Sequence, residues 1–170
     1  MRVIGLIGKM GSGKSECANF ANKVYNANVA PLAESVRKVG ELMLAGSVNE
    51  VYNEAGAFVD ILFPDKSLDE QTQILQELRD LVRKLNPKIG EKNRSFLQQI
   101  GTEIGRAHDE NVWIRWRLNN IPKNADIVII DDVRFLNEAE MIKKLGGQIV
   151  RIQRPEMDRI KYILEKFKVL

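Results

Sequence analysis

One cysteine, Cys17, stands among 170 residues. No intrachain disulfide can form and no cysteine-rich metal site can be built, which is compatible with a reducing cytoplasm. The single histidine, His108, has no metal-ligand partner at a useful spacing, so it reads as loop or helix-end structure. No apolar run approaches about 20 residues, the length that spans a bilayer, so neither a transmembrane helix nor a membrane partner is expected. The N-terminal apolar stretch is short and leads into a glycine-rich loop, unlike a secretory signal. Internal repeats and low-complexity segments are also missing. Charge of one sign is in small excess, a net +3. That suits a small anionic ligand, and without a concentrated basic stripe it argues against a nucleic-acid partner. No Asn-Lys-x-Asp segment is present, which counts against a guanine-reading switch. A chain that is 44% hydrophobic and 29% charged is globular, with room for one substantial core and little for a second.

What is there centres on Gly8-Lys9-Met10-Gly11-Ser12-Gly13-Lys14-Ser15. It fits the phosphate-binding pattern of Gly, four residues, Gly, Lys, then Ser or Thr. Arg2–Ile7 before it is short, apolar and β-prone. Ser15–Asn26 after it carries Cys17, Phe20, Ala21 and Val24 at helical spacing. Strand, glycine loop and helix form the context the pattern requires; a ligand-free βα turn is the alternative. Glycines let the backbone curl so that N–H groups converge on a phosphate, and the helix adds its positive end. Lys14 would reach the β- and γ-phosphates of a donor such as ATP, and the Ser15 hydroxyl would ligate Mg²⁺.

Further along, Val29-Ala30 begins a short second strand. A helix is expected from Ser35 to about Ala45, ended by Gly46. Arg37 and Lys38 fall in its first turn, where the dipole does not favour cations. A phosphate partner for Arg37 would explain it, and so would a solvated surface. Val48–Phe63 carries a helical stripe ended by Pro64. Ser67 and Glu70 open a further helix as a capping box, and Asn86-Pro87 closes it. Lys88–Lys92 is a basic connector. Asn93 or Ser95 caps a helix with Phe96, Leu97, Ile100 and Ile104, on or beside which lie Arg94, Gln98, Thr102 and Arg106. Arg94 and Gln98, four apart, share a face suited to a phosphate and a base edge, as a plain surface pair would. The helix Asn111–Asn120 holds Trp113 and Trp116, core by default, although Trp113 could also stack on a nucleobase. Asp126–Asp132 is an apolar run ending in carboxylates, a buried parallel strand with an acidic tip of Walker-B type. Asn137 and Glu140 form an N-cap-like pair for a helix closed by Gly146-Gly147. Gln148–Gln153 is a fourth strand, and a last helix carries Met157, Ile160, Ile163, Leu164 and Phe167. Alternating strands and helices imply a mainly parallel sheet covered on both faces. The order of its strands is not readable.

Five segments together, GKMGSGKS, LAESVRK, RSFLQQIGTEIGR with NVW, IIDDVRFLNEAE and GGQIVRIQRP, resemble the bacteriophage-type deoxynucleoside monophosphate kinases, within the P-loop nucleotide kinases. The resemblance implies one P-loop kinase domain over 1–170. Its fold would be three-layer α/β/α, with a substrate-covering helical insertion at about 48–86. It implies transfer of the ATP γ-phosphoryl group to a deoxynucleoside monophosphate with Mg²⁺, in a host cytoplasm if the chain is phage-encoded. It is also compatible with a homodimer. Carried over, Gly8, Gly11, Ser12, Gly13, Lys14 and Ser15 hold the donor phosphates, and Arg154 lies near the ATP base. Arg37, Arg94, Gln98, Thr102 and Trp113 face the acceptor. Asp132 and Arg134 form the D-x-R pair after the central strand, with Asp132 joining Ser15 at the metal and Lys14 and Arg134 neutralising the moving phosphoryl group. Relatives often carry Asp after the loop lysine, where this chain has Ser15. Longer relatives also continue past the Arg-Pro segment, a difference expected to bear on donor specificity and assembly. Competing readings are a dephospho-coenzyme A or nucleoside kinase, with Asp131 the nearest carboxylate base for a nucleoside hydroxyl, a nucleotide switch, and a nucleic-acid-dependent ATPase.

Overall fold

In the computed structural model, which describes residues 1–45, 51–88 and 93–166, the elements follow a regular order. They are β1 (Arg2–Ile7), α1 (Lys14–Tyr25), β2 (Asn28–Val29), α2 (Ala33–Ala45), α3 (Val51–Leu62), α4 (Leu68–Leu85), α5 (Arg94–Gln98), a π-helical stretch (Gln99–Arg106), α6 (Val112–Asn119), β3 (Ile127–Ile130), α7 (Leu136–Lys144), β4 (Gln148–Arg151) and α8 (Glu156–Lys166). Gly46, Val48, Phe167 and residues 89–92 of the basic connector lie outside the described residues.

Met1–Pro31 and Ile121–Leu170 form one unit, and Leu32–Asn120 another. In the first, the four expected strands make a sheet in the order β2-β3-β1-β4, and every pairing is parallel. All strand C-termini therefore open at one end. Side chains alternate across β1. Ile4 and Leu6 pack with Ala18 and Ala21 of α1 and with Ile129. Gly5 points the other way, where an added Cβ would stand 2.8 Å from Ile142 of α7. α1 and α7 thus cover opposite faces, and the unit is a three-layer α/β/α arrangement around a parallel sheet. β3 is shorter than the expected 126–132 because Asp131 and Asp132 leave the ladder as a turn.

The second unit is helical. Its core joins Val39 of α2, Phe58 and Leu62 of α3, Ile74, Leu78 and Leu81 of α4, Phe96 and Ile100 from α5 and the π-helical stretch, and Trp113 and Trp116 of α6. α2 starts two residues before the expected Ser35, which is fully buried and donates to Leu32 O at 2.6 Å. His108 Nε2 meets Glu77 Oε2 at 2.8 Å and its ring stands edge-on to Phe63, a packing role as expected for a lone histidine.

The capping box of α4 forms as the sequence predicts: Glu70 N–H donates to Ser67 Oγ, and Glu70 Oε2 accepts from Ser67 N–H at 2.9 Å. That backbone hydrogen bond, then Lys66 and the Ser67 hydroxyl, pull the Glu70 carboxyl from 4.5 to about 2. A carboxyl lowered on folding adds stability that is present above its unfolded value and is lost as pH falls through its folded value. The helix start should therefore loosen between pH 4.5 and about 2. Glu70→Gln is expected to flatten that limb of an acid titration followed by amide exchange in the first turn of α4. An unchanged limb would remove Glu70 as its cause.

Candidate nucleotide site

The loop leaving β1 is shaped by glycines at positive φ. Gly8 lies at φ 152° and Gly13 at φ 100°. An added Cβ at Gly8 would collide with the Ile152 carbonyl and lie 2.7 Å from Ser12 Oγ. No side chain among the described residues caps the start of α1, where Gly13 is the N-cap, so the helix end presents its N–H groups to the loop interior. Ser12 is 5% exposed, and its buried Oγ has no hydrogen-bond partner among the described residues. A buried orphan hydroxyl is costly unless a ligand satisfies it. Lys14 Nζ curls over the loop and donates to Gly8 O at 2.8 Å and Lys9 O at 3.2 Å. A cation held by carbonyls at the mouth of an N–H-lined cradle is matched to a polyphosphate.

Beside it, the end of β3 supplies the acid. Ser15 Oγ donates to Asp131 Oδ2 at 3.0 Å. This follows from the sheet, in which β1 and β3 are parallel neighbours with Gly5 level with Ile130. The carboxylate that meets the loop hydroxyl is therefore Asp131. Asp132, the candidate metal ligand and D-x-R acid, is the next residue and is half-buried with a polar partner of its own. Arg134 is exposed. The turn that carries it is fixed by Glu138, 4% exposed, whose Oε2 accepts from Arg134 N–H at 2.8 Å and Phe135 N–H at 3.0 Å. Here the expected Asn137/Glu140 cap is corrected. α7 begins at Leu136, so the glutamate three residues past the cap is Glu138. No local signal singles it out, since Glu140 stands at an equivalent spacing from Asn137.

On the other side of β1, an open groove of about 760 Å³ is lined by Lys9 and Ser12 together with Arg151, Arg154 and Arg159. Arg154 reaches the loop: a Cβ on Gly13 would lie 3.6 Å from its Nη2. Its guanidinium sits 4.7 Å from the centre of the Tyr162 ring. Glu16, at the start of α1, takes a hydrogen bond from the Tyr162 hydroxyl at 3.0 Å. A bond from its own backbone N–H, then this one, hold its carboxyl below the usual range. Gly11 lies under Ile163 of α8. Lys14, Ser15, Asp131, Arg154 and the loop thus meet in one place.

The other candidates lie in the helical unit. Arg37, Arg94, Gln98 and Thr102 are all exposed. α2 lies against α5 and the π-helical stretch: a Cβ on Gly40 would be 2.7 Å from Leu97, and one on Gly101 3.5 Å from Val36. Lys38 is engaged otherwise, its Nζ 5.7 and 5.9 Å from the rings of Phe58 and Trp116. Trp113 is 5% exposed and its indole donates to Gly101 O at 2.8 Å. Among the described residues no helix is long and apolar enough to cross a membrane, and no three His, Cys, Asp or Glu gather into a metal cluster.

Comparison with known proteins matches residues 43–166 to a family described as deoxynucleotide monophosphate kinase. A protein of Acanthamoeba polyphaga mimivirus named deoxynucleotide monophosphate kinase is 27% identical over 168 residues, spanning 91% of this chain and 75% of its own. The deoxynucleoside-5'-monophosphate kinase of Escherichia phage T5 is 33% identical over 93 residues, 52% of this chain and 34% of its own.

Proposed function

The chain belongs to the deoxynucleotide monophosphate kinase family, and on that premise we propose that it transfers the γ-phosphoryl group of ATP to a deoxynucleoside monophosphate. The observation that carries this reading is the glycine loop with Lys14 folded over it and Ser15 bonded to Asp131. An oxygen of the acceptor phosphate attacks the γ-phosphorus, the bond to the β–γ bridging oxygen breaks, and ADP leaves. An acceptor phosphate has its second pKa near 6 and is mostly dianionic at pH 7, so it needs no general base. Catalysis is then alignment and charge stabilisation.

Loop N–H groups and Ser12 hold the donor phosphates, and Lys14 and Arg134 offset charge on the moving group. Arg154 contacts the donor nucleoside in the groove beside the loop. Arg37, Arg94, Gln98 and Thr102 hold the acceptor. Mg²⁺ fits a donor set of hydroxyl and carboxylate oxygens, and Ser15 with the acidic end of β3, Asp131 or Asp132, would hold it. Bound there, the ion neutralises donor phosphate charge. Both named relatives are viral, which supports an enzyme acting in a host cytoplasm.

The test is ADP release from Mg-ATP against a panel of deoxynucleoside and nucleoside monophosphates, dephospho-coenzyme A and nucleosides. Turnover is expected with at least one deoxynucleoside monophosphate, over a low background without acceptor. ATP hydrolysis indifferent to monophosphates would overturn the reading, and so would turnover confined to dephospho-coenzyme A or a nucleoside.

A further inference from the structure

Phe96, Ile100 and Ile104 are buried, 2%, 1% and 8% exposed. Arg94, Gln98 and Thr102 are exposed, with Arg106 half-buried in the same row. Both rows repeat every fourth residue. An α-helix cannot hold that repeat, because with 3.6 residues per turn each step of four overshoots and the row winds round the helix. The backbone resolves the conflict by changing type. Arg94–Gln98 is α-helical and Gln99–Arg106 is π-helical. In a π-helix the i→i+5 ladder widens the turn, so a step of four falls short instead of overshooting. The two errors oppose one another, and the polar row stays on one face from Arg94 to Arg106.

A long π stretch needs support, since such helices are rare and mostly single turns at functional sites. Here α6 provides it. The Trp113 indole N–H donates to Gly101 O at 2.8 Å, inside the widened stretch. Its ring rests where residue 105 has no side chain: a Cβ there would overlap Cζ2 and lie 2.8 Å from Cε2. Glycine at 105 therefore admits the ring, and the ring fills the space beside the wide turns.

We propose that Trp113 is a positioning residue that pins the π-helical stretch, through Gly101 and Gly105, so that Gln98, Thr102 and Arg106 stay in line with Arg94 toward the acceptor nucleotide. This rests on the acceptor reading above. Arg106 joins the acceptor row by the same phase. Without the peg the stretch tightens toward α-helix, and Thr102 and Arg106 rotate away from Arg94.

The test is steady-state kinetics of Trp113→Phe, which keeps an aromatic ring and loses the N–H, with Arg94→Ala and Thr102→Ala as references. Trp113→Phe is expected to raise the acceptor KM about tenfold, less than the roughly hundredfold that a misplacement of about 1 Å can cost. The ATP KM should stay within about twofold, because the donor loop is untouched. Thr102→Ala should add less in the Trp113→Phe background than in the wild type, since the two act on one alignment. A loss of stability with both KM values unchanged, or both raised alike, overturns the positioning role. If Arg94→Ala raises the acceptor KM and Trp113→Phe does not, the positioning role alone fails. If Arg94→Ala also leaves it unchanged, the acceptor reading fails with it. Amide exchange on the unaltered enzyme gives a readout that needs no variant. Residues 99–106 should be protected by a deoxynucleoside monophosphate and not by ATP, and the reverse pattern overturns the proposal.

Discussion

Lys14→Ala is expected to lower kcat for phosphoryl transfer roughly a thousandfold, the loss of about 4 kcal/mol that follows removal of one preorganised charge donor. The protein should still fold. Lys14 makes its bonds at the rim of the loop, to Gly8 O and Lys9 O, and exposed hydrogen bonds contribute about 1 kcal/mol net or less. Alanine also suits the first position of α1, where Lys14 stands. The two effects therefore separate: a thermal melt within a few degrees of wild type and turnover near background. Lys14→Arg should not restore the rate, since a planar fork does not replace a compact ammonium in a cradle of this size. Near-normal turnover by Lys14→Ala would sink the assignment of the loop as the donor site.

That loop was the most legible part of the sequence, because one local pattern and both its neighbours had to agree. A buried strand, glycines where the chain must turn through positive φ, and an uncapped helix start are all local demands. The α4 capping box was readable for the same reason, since Ser67 and Glu70 settle it between themselves. The strand order was not readable, because parallel strands meet through long crossovers whose contacts leave no local trace. That gap carried into the site. Which of two adjacent aspartates meets Ser15 depends on the β1–β3 register, and only the fold fixes it. The spacing of Asn137 and Glu140 predicts a cap two residues beyond the Phe135 and Glu138 that open α7. Glu138 and Glu140 are equivalent by spacing rules, and the turn after β3 chose the first. The π-helical stretch was legible in retrospect as apolar residues at 96, 100 and 104 with glycines at 101 and 105. Four-residue spacing also satisfies a short α-helical template, so the sequence alone predicts an ordinary helix there.

Asp131→Asn is expected to cut kcat/KM about 10- to 100-fold, the range seen when a charged partner of a metal ligand is lost. Asparagine keeps an oxygen that can accept from Ser15, so the 3.0 Å contact can persist and the variant isolates the charge. The half-saturating Mg²⁺ concentration should rise, because a hard dication loses an anionic oxygen beside the Ser15 hydroxyl. Stability should change little, since Asp131 is only half-buried at a strand end. Asp132→Asn is the companion. Asp132 stands one residue further along the turn that Glu138 holds, beyond the residue that bonds Ser15. Its Mg²⁺ requirement should stay nearer wild type, although turnover can fall through a shift of Arg134. The opposite result, a raised Mg²⁺ requirement in Asp132→Asn and none in Asp131→Asn, would give the metal to Asp132. The Ser15–Asp131 bond would then serve only to hold the loop against β3.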